Sequence, residues 1–313
     1  MDEYIDEYAK KKNITSRHSL TTMKSNLRRV EKVIGKKIET WKESDFKDDS
    51  KIFDKLVEKY QPNSIIVTLN AIKVWLLIKK SSAKIIDEYT MLIKEMGQEK
   101  DNEVNKQKKT PAEEDLGDYF DFEKMRSKVK SYVTEHLPKA NTESKLRQLL
   151  LVSLFSLQIP TRIGNYLNME MRKGEGARLE NNKNYLMKTK TGWKFIFNKF
   201  KTSKYLGKVE LRVEDKLLQE VLEKYISKIP RKQEVLFDAT QSQITNNLNS
   251  ITKKIFDVPF SVNLFRHSFS SWFLSKNPSI AEKEKTAKIL GQVYRISRME
   301  SYARRDEDED EDE

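Results

Sequence analysis

Apolar residues recur at helical spacing through the first 95 positions. Ile65, Leu69, Ile72 and Leu76 fall on one face, with Trp75 widening the stripe, and the spacing predicts a helix capped by Ser64 just after Pro62. An earlier helix is expected over 19–34, with Lys24, Arg28, Arg29 and Lys32 on its polar side. Farther on, Leu146, Leu150, Leu154 and Leu157 mark a buried helix that stops before Pro160. The period then changes to two. Trp193, Phe195 and Phe197 alternate with polar or smaller positions, Val209, Leu211 and Val213 do the same, and Tyr185 to Lys188 adds a third strand across the Thr191-Gly192 turn. Helical spacing returns near Lys216 and continues to about Arg305. The expected fold is mainly α with a small antiparallel β-sheet, in the order helices, sheet, helices.

Two stretches break the pattern. Residues 96–118 have almost no large apolar side chains and are expected to be a flexible linker. That gives an N-terminal helical domain over 1–95 and an α+β domain over 119–305. The last eight residues, Asp306 to Glu313, are all acidic and are expected to form a self-repelling, disordered tail.

Charge adds the next constraint. The chain carries a net +12, so without its eight-residue acidic end the other 305 residues carry +20. Such an excess of Lys and Arg favours a polyanion, because neutralised phosphates release their counterions. The helix over 19–34 would suit a DNA backbone, although any one of its basic residues would sit as well on a solvated helix face. Aromatic residues reach 10%, enough to close a core in a chain this charged.

Several chemistries are excluded or unsupported. There is no Cys, hence neither a disulfide nor a thiolate metal site, and His18, His136 and His267 are too scattered for an imidazole site. No cofactor is implied. The longest apolar run, Ile65 to Ile78, is interrupted by Thr68, Asn70 and Lys73 and is too short to span a bilayer. The first residues are acidic and lack an apolar signal region, so an intracellular, DNA-associated location in a host nucleus or nucleoid is expected.

Four segments carry candidate chemistry. PTRIGNYLNM places Arg162 just after the buried helix. SVNLFRHSFSSWF places Arg266 another 104 residues on, and LGQVYRISRMESYAR sets Tyr302 ten residues after Gln292. KTSK, with Lys201, lies between the two arginine segments in the β region. In order, spacing and intervening structure these segments resemble the motifs of the tyrosine recombinases, the phage-type integrase family of DNA breaking and rejoining enzymes. The resemblance covers about 140 residues. It implies a helical core-binding domain followed by a catalytic domain, and a tetramer on paired DNA sites.

The resemblance also implies roles. Arg162 and Arg266 would clamp the scissile phosphate, since a guanidinium fork donates bidentately and stays charged. Lys201 would protonate the leaving 5′ oxygen, and Tyr302 would attack to give a 3′-phosphotyrosyl intermediate without metal or ATP. Lys199, Lys204 and Lys190 compete with Lys201, and Tyr294 competes with Tyr302. The chain departs from the family at three positions. Asn263 stands where His is usual and cannot relay a proton. Gln292 stands where His or Trp is usual, and Asn165 replaces a common acidic residue. Those departures put the rate in doubt more than the reaction type. They keep open a catalytically impaired DNA-binding relative, beside a type IB topoisomerase. His267, one residue past Arg266, is turned about 100° away on a helix and is expected to make a structural hydrogen bond.

Overall fold

A computed structural model describes residues 1–14, 16–46, 49–105, 111–174, 179–230 and 233–292. The chain divides into two compact units, Met1–Lys106 and Gln107–Glu313.

The first unit is helical: α1 (Asp2–Lys11), α2 (Arg17–Ile34), α3 (Asp49–Val57), α4 (Pro62–Ile78) and α5 (Ala83–Asn105). Its core gathers Leu27 and Val30 of α2, Ile65, Leu69, Ile72, Trp75 and Leu76 of α4, and Ile85 and Tyr89 of α5. Each fully buried side chain of this kind contributes about 1.5–3 kcal/mol. The α4 stripe is the one read from the sequence, but the helix is capped by Gln61 rather than Ser64 and so starts three residues earlier than expected. Pro62 occupies its first turn after Gln61, where a missing N–H costs nothing.

The polar side of α2 is less available than its sequence suggests. Lys24 pairs with Asp6 and Arg28 with Asp2, each at 2.8 Å. Arg29 lies 4.7 Å over the Tyr60 ring and donates to the Ser64 carbonyl and the Thr68 hydroxyl. Asp2 and Asp6 of α1 thus answer part of the charge on the polar side of α2.

The linker expected over 96–118 is also revised. Helix α5 continues through 96–105, where Glu, Lys and Gln are good helix formers despite the absence of an apolar stripe. Residues 111–120 belong to the second unit. There α6 (Pro111–Glu114) leads into a 3-10 turn at Gly117–Phe120, and Leu116 and Phe120 are buried in that unit's core. The lysine-rich stretch 106–109 and the acidic tail lie outside the described residues.

The second unit is built around α8 (Glu143–Ser156), whose residues from Leu149 to Ser156 are all buried. A helix apolar on every side belongs at the centre of a unit. Packed on α8 are α7 (Phe122–His136), α10 (Lys216–Lys228), α11 (Gln241–Phe256) and α12 (Val262–Ser275), and α13 (Ile280–Leu290) closes the described chain. To one side is a sheet in the order β1 (Glu170–Lys173), β2 (Tyr185–Thr189), β3 (Gly192–Phe197) and β4 (Val209–Arg212), with α9 (Ser203–Leu206) between the last two. Trp193, Phe195 and Phe197 enter the main core, whereas Tyr185, Met187 and Ile196 make a small cluster on the opposite face. The fold is mainly α with a small sheet, but the sheet is mixed. Strands β2, β3 and β4 are antiparallel, and β1 adds a parallel edge to β2, Glu170 facing Tyr185.

Asp215 fastens α10 to α7. Its carboxylate caps α10 through the amides of Leu217 and Leu218, and it meets Lys130 at 2.9 Å and Arg126 at 3.3 Å. Burial pushes this carboxyl up, but Lys130, the Leu218 amide and Arg126 together hold it below the usual range. A lowered folded value means that its stabilisation is full above the ordinary Asp pKa of about 3.9 and disappears as pH falls through the lower one. Asp215→Asn keeps a capping oxygen but no charge. In denaturant titrations at stepped pH, that variant should lose less stability than the parent between about pH 4 and pH 2. Identical acid slopes would refute the pairing.

Candidate active site

Arg162 follows α8 by a short extended stretch and caps the 3-10 turn Ile163–Asn165. Pro160 ends the helical path and leaves its own carbonyl facing inward. That carbonyl accepts a 3.1 Å hydrogen bond from Nη1 of Arg266, whose side chain is 1% exposed on α12. A guanidinium so far from water is tolerable only where groups of the protein or a ligand answer it. The bond brings the two arginine segments, 104 residues apart in sequence, to one place.

The third contributor arrives from α13. Gly291 ends that helix in a left-handed conformation (φ +68°), with its N–H on Lys288 and the Gln292 N–H reaching back to Ala287 at 2.9 Å. This is a Schellman-type stop, which turns the chain sharply. It puts Gly291 beside the first arginine and the β3–β4 connection. A β-carbon added there would lie 3.7 Å from Phe200, 3.8 Å from Thr202 Oγ1 and 3.9 Å from Arg162 Nε. Those are ordinary contacts, so Gly291→Ala should be limited by backbone strain rather than by space. A loss of about 1–2 kcal/mol is expected in thermal or chemical unfolding. An unchanged midpoint would show that the turn does not depend on glycine.

Thr202 completes the junction, donating from Oγ1 to the Gly291 carbonyl at 2.8 Å. Lys201, its neighbour, is exposed at this point, and so are Lys199 and Lys204. Lys190 is not close by. It lies at the turn before β3, and that six-residue strand separates it from the Lys201 turn by about 17 Å.

Two polar groups at the junction stand out. Gln292 is 7% exposed, and neither atom of its side-chain amide has a hydrogen-bond partner among the described residues. Nε of Arg162 is likewise buried without one. An unmet buried polar atom costs about 1–3 kcal/mol, so such atoms call for an explanation. Unmet N–H donors on segments that meet here suit an anion with several oxygens.

Asn263 lies on the first turn of α12, one helical turn before Arg266, and is exposed. Tyr302 and Tyr294 lie outside the described residues. His267 does not join the arginines. Its Nδ1 lies 2.5 Å from Oε1 of Glu113, a side chain on α6 that is 2% exposed. The expected structural hydrogen bond therefore has a partner 154 residues earlier in the chain.

Sequence reasoning missed Asn184. Its amide, buried just before β2, donates to the carbonyls of Asn165 and Lys199 and accepts from the amides of Asn198 and Lys199, all at 2.8–2.9 Å. All its partners are backbone atoms, 14 to 19 residues away, which no motif records.

No helix among the described residues is long and apolar enough to cross a membrane. No protein-family model matches the chain, and no curated protein matches it. The chain is similar to the crystal structure of XerA recombinase over 98% of its own length and 94% of that chain, with 13% identity and a TM-score of 0.39, a likeness too slight to assign a family or an activity.

Proposed function

We propose that this chain breaks and rejoins double-stranded DNA as a site-specific recombinase or integrase, with Tyr302 as nucleophile. The phenolate oxygen of Tyr302 attacks the scissile phosphorus and the P–O5′ bond breaks. The 5′ oxygen leaves with a proton from Lys201, and the DNA remains joined to the enzyme through a 3′-phosphotyrosine. A 5′ hydroxyl of a partner strand then attacks, its proton returns to the lysine, and the phenolate is released. The phosphodiester bond energy is conserved, so the cycle needs no ATP. Arg162 and Arg266 answer the charge on the non-bridging oxygens, with Gln292 and Asn263 as amide donors. A tyrosine hydroxyl has an ordinary pKa near 10, and the surrounding positive charge favours its ionised form. Exchange between two duplexes calls for four protomers on paired sites.

One observation supports this reading above the others: the Lys201 turn is bonded to Gly291 through Thr202, Arg162 lies beside Gly291, and Arg266 is tied to the segment that carries Arg162. The buried amide of Gln292, unmet among the described residues, belongs to the same junction.

The test is a covalent trap. The protein is incubated with a library of nicked duplexes, in which the short strand released on cleavage diffuses away, and denatured. DNA that stays attached to the protein identifies both the linkage and the sequence cut. Relaxation of supercoiled plasmid without joined products would assign the same chemistry to a type IB topoisomerase. Steeply salt-dependent binding with no adduct on any substrate would assign a non-catalytic DNA-binding protein.

A further inference from the structure

We propose that Asn184 is a positioning residue that sets the general-acid turn against the first arginine segment, an inference that rests on the function proposed above. A primary amide has two N–H donors and two acceptor lone pairs. Asn184 uses all four. Nδ2 donates to Asn165 O and Lys199 O, and Oδ1 accepts from Asn198 N and Lys199 N. The side chain is 6% exposed, so water does not compete freely for these bonds.

The bonds connect the two halves of the site. On one side, the Asn165 amide donates to the Arg162 carbonyl at 3.0 Å, so its carbonyl is the far end of the turn that begins at the arginine. On the other, both backbone groups of Lys199 are held two residues before Lys201. Thr202, the residue after it, is held to Gly291 by its hydroxyl. The backbone of Lys201 is thus fixed from both directions, once toward the Arg162 segment and once toward the end of α13. Asn198 adds a brace, donating from its own side chain to the carbonyls of Lys183 and Glu180. An exposed lysine on a free turn would deliver its proton from many positions. Here the chain is anchored on both sides of Lys201.

The experiment separates placing the acid from holding the fold. Substrates are prepared in pairs, with either oxygen or sulfur at the bridging 5′ position of the sequence recovered by the covalent trap. A 5′ thiolate leaves without a proton, its conjugate acid having a pKa near 8.5, so the sulfur substrate bypasses the general acid. Lys201→Ala is the reference. Asn184→Asp is the main variant, because its carboxylate still accepts from Asn198 and Lys199 but cannot donate to Asn165. Asn184→Ser is the second, and the comparison is read on whichever keeps the parental melting transition.

Both Lys201→Ala and the Asn184 variant should lose about a hundredfold or more in single-turnover cleavage of the oxygen substrate. Both should recover most of that loss on the sulfur substrate. If Lys201→Ala recovers and the Asn184 variant stays equally slow on both, the positioning role is overturned while the parent reading stands. If Lys201→Ala does not recover, the lysine is not the acid, and the proposal falls with that assignment. If the unaltered protein cleaves neither substrate, the parent reading itself is wrong.

Discussion

Replacing Tyr302 by Phe should abolish the covalent protein–DNA product. The substitution deletes one oxygen, the atom proposed to attack phosphorus, and no other side chain proposed for the site performs that step. Loss of a nucleophile typically lowers turnover by roughly 10⁴-fold or more, leaving only binding and charge stabilisation. DNA affinity should hardly change, because the phenyl ring is retained and the phosphate contacts are proposed for other residues. The check is paired: adduct yield on nicked duplexes, and filter or gel binding to the same duplexes at fixed salt. An adduct that survives the substitution sinks the assignment of Tyr302 and turns attention to Tyr294.

The two arginines should separate in a second pair of measurements. Arg162→Ala and Arg266→Ala should each lower the cleavage rate by about 10²–10³-fold, the usual effect of removing one preorganised donor from a developing charge. Their effects on stability should differ. Arg162 is only half-buried, at the end of a loop, and its removal should change unfolding free energy by less than about 1 kcal/mol. Arg266 is buried and supplies the donor to Pro160, so its truncation leaves both a cavity and an unmet carbonyl. About 2–4 kcal/mol should be lost, visible in denaturant titration. Arg162→Ala cleaving at the parental rate would remove the first clamp from the proposal. Arg266→Ala with parental stability would mean that its burial carries no structural weight.

The elements most legible in the sequence were those with strong local periodicity. Trp193, Phe195 and Phe197 announce β3 because alternate residues face the same core, and Ile65 to Leu76 announce α4 for the corresponding helical reason. Strand β1 was invisible. Its residues EMRK are only partly buried, and its pairing partner begins at Tyr185, in parallel, so no hairpin turn marks it. The end of α5 was misread because composition reports core-forming capacity rather than helical propensity, and the two diverge in a run of Glu, Lys, Gln and Asn. The ion pairs of α2 are not legible in the sequence, because Asp2 and Asp6 stand 26 and 18 residues from the side chains they answer.

The candidate site divides along the same line. Arg162, Lys201, Arg266 and Gln292 carry distinctive side chains in recognisable strings, so they can be nominated without coordinates. Asn184, Thr202 and Gly291 act through backbone atoms or a backbone conformation. Such roles leave no string to read, since Asn in a Lys-Asn run resembles any turn residue. Glu113 sits in a stretch whose composition hides the fact that one carboxylate is buried.

The Glu113–His267 contact decides where the chain can be cut. A C-terminal fragment beginning at Tyr119, the first residue of the domain as composition drew it, would lack Leu116 from its core and leave the imidazole on α12 without the carboxylate it meets. That imidazole is adjacent to Arg266, so the damage would fall one residue from the guanidinium that the reaction is proposed to need. An excised fragment therefore has to start ahead of Pro111.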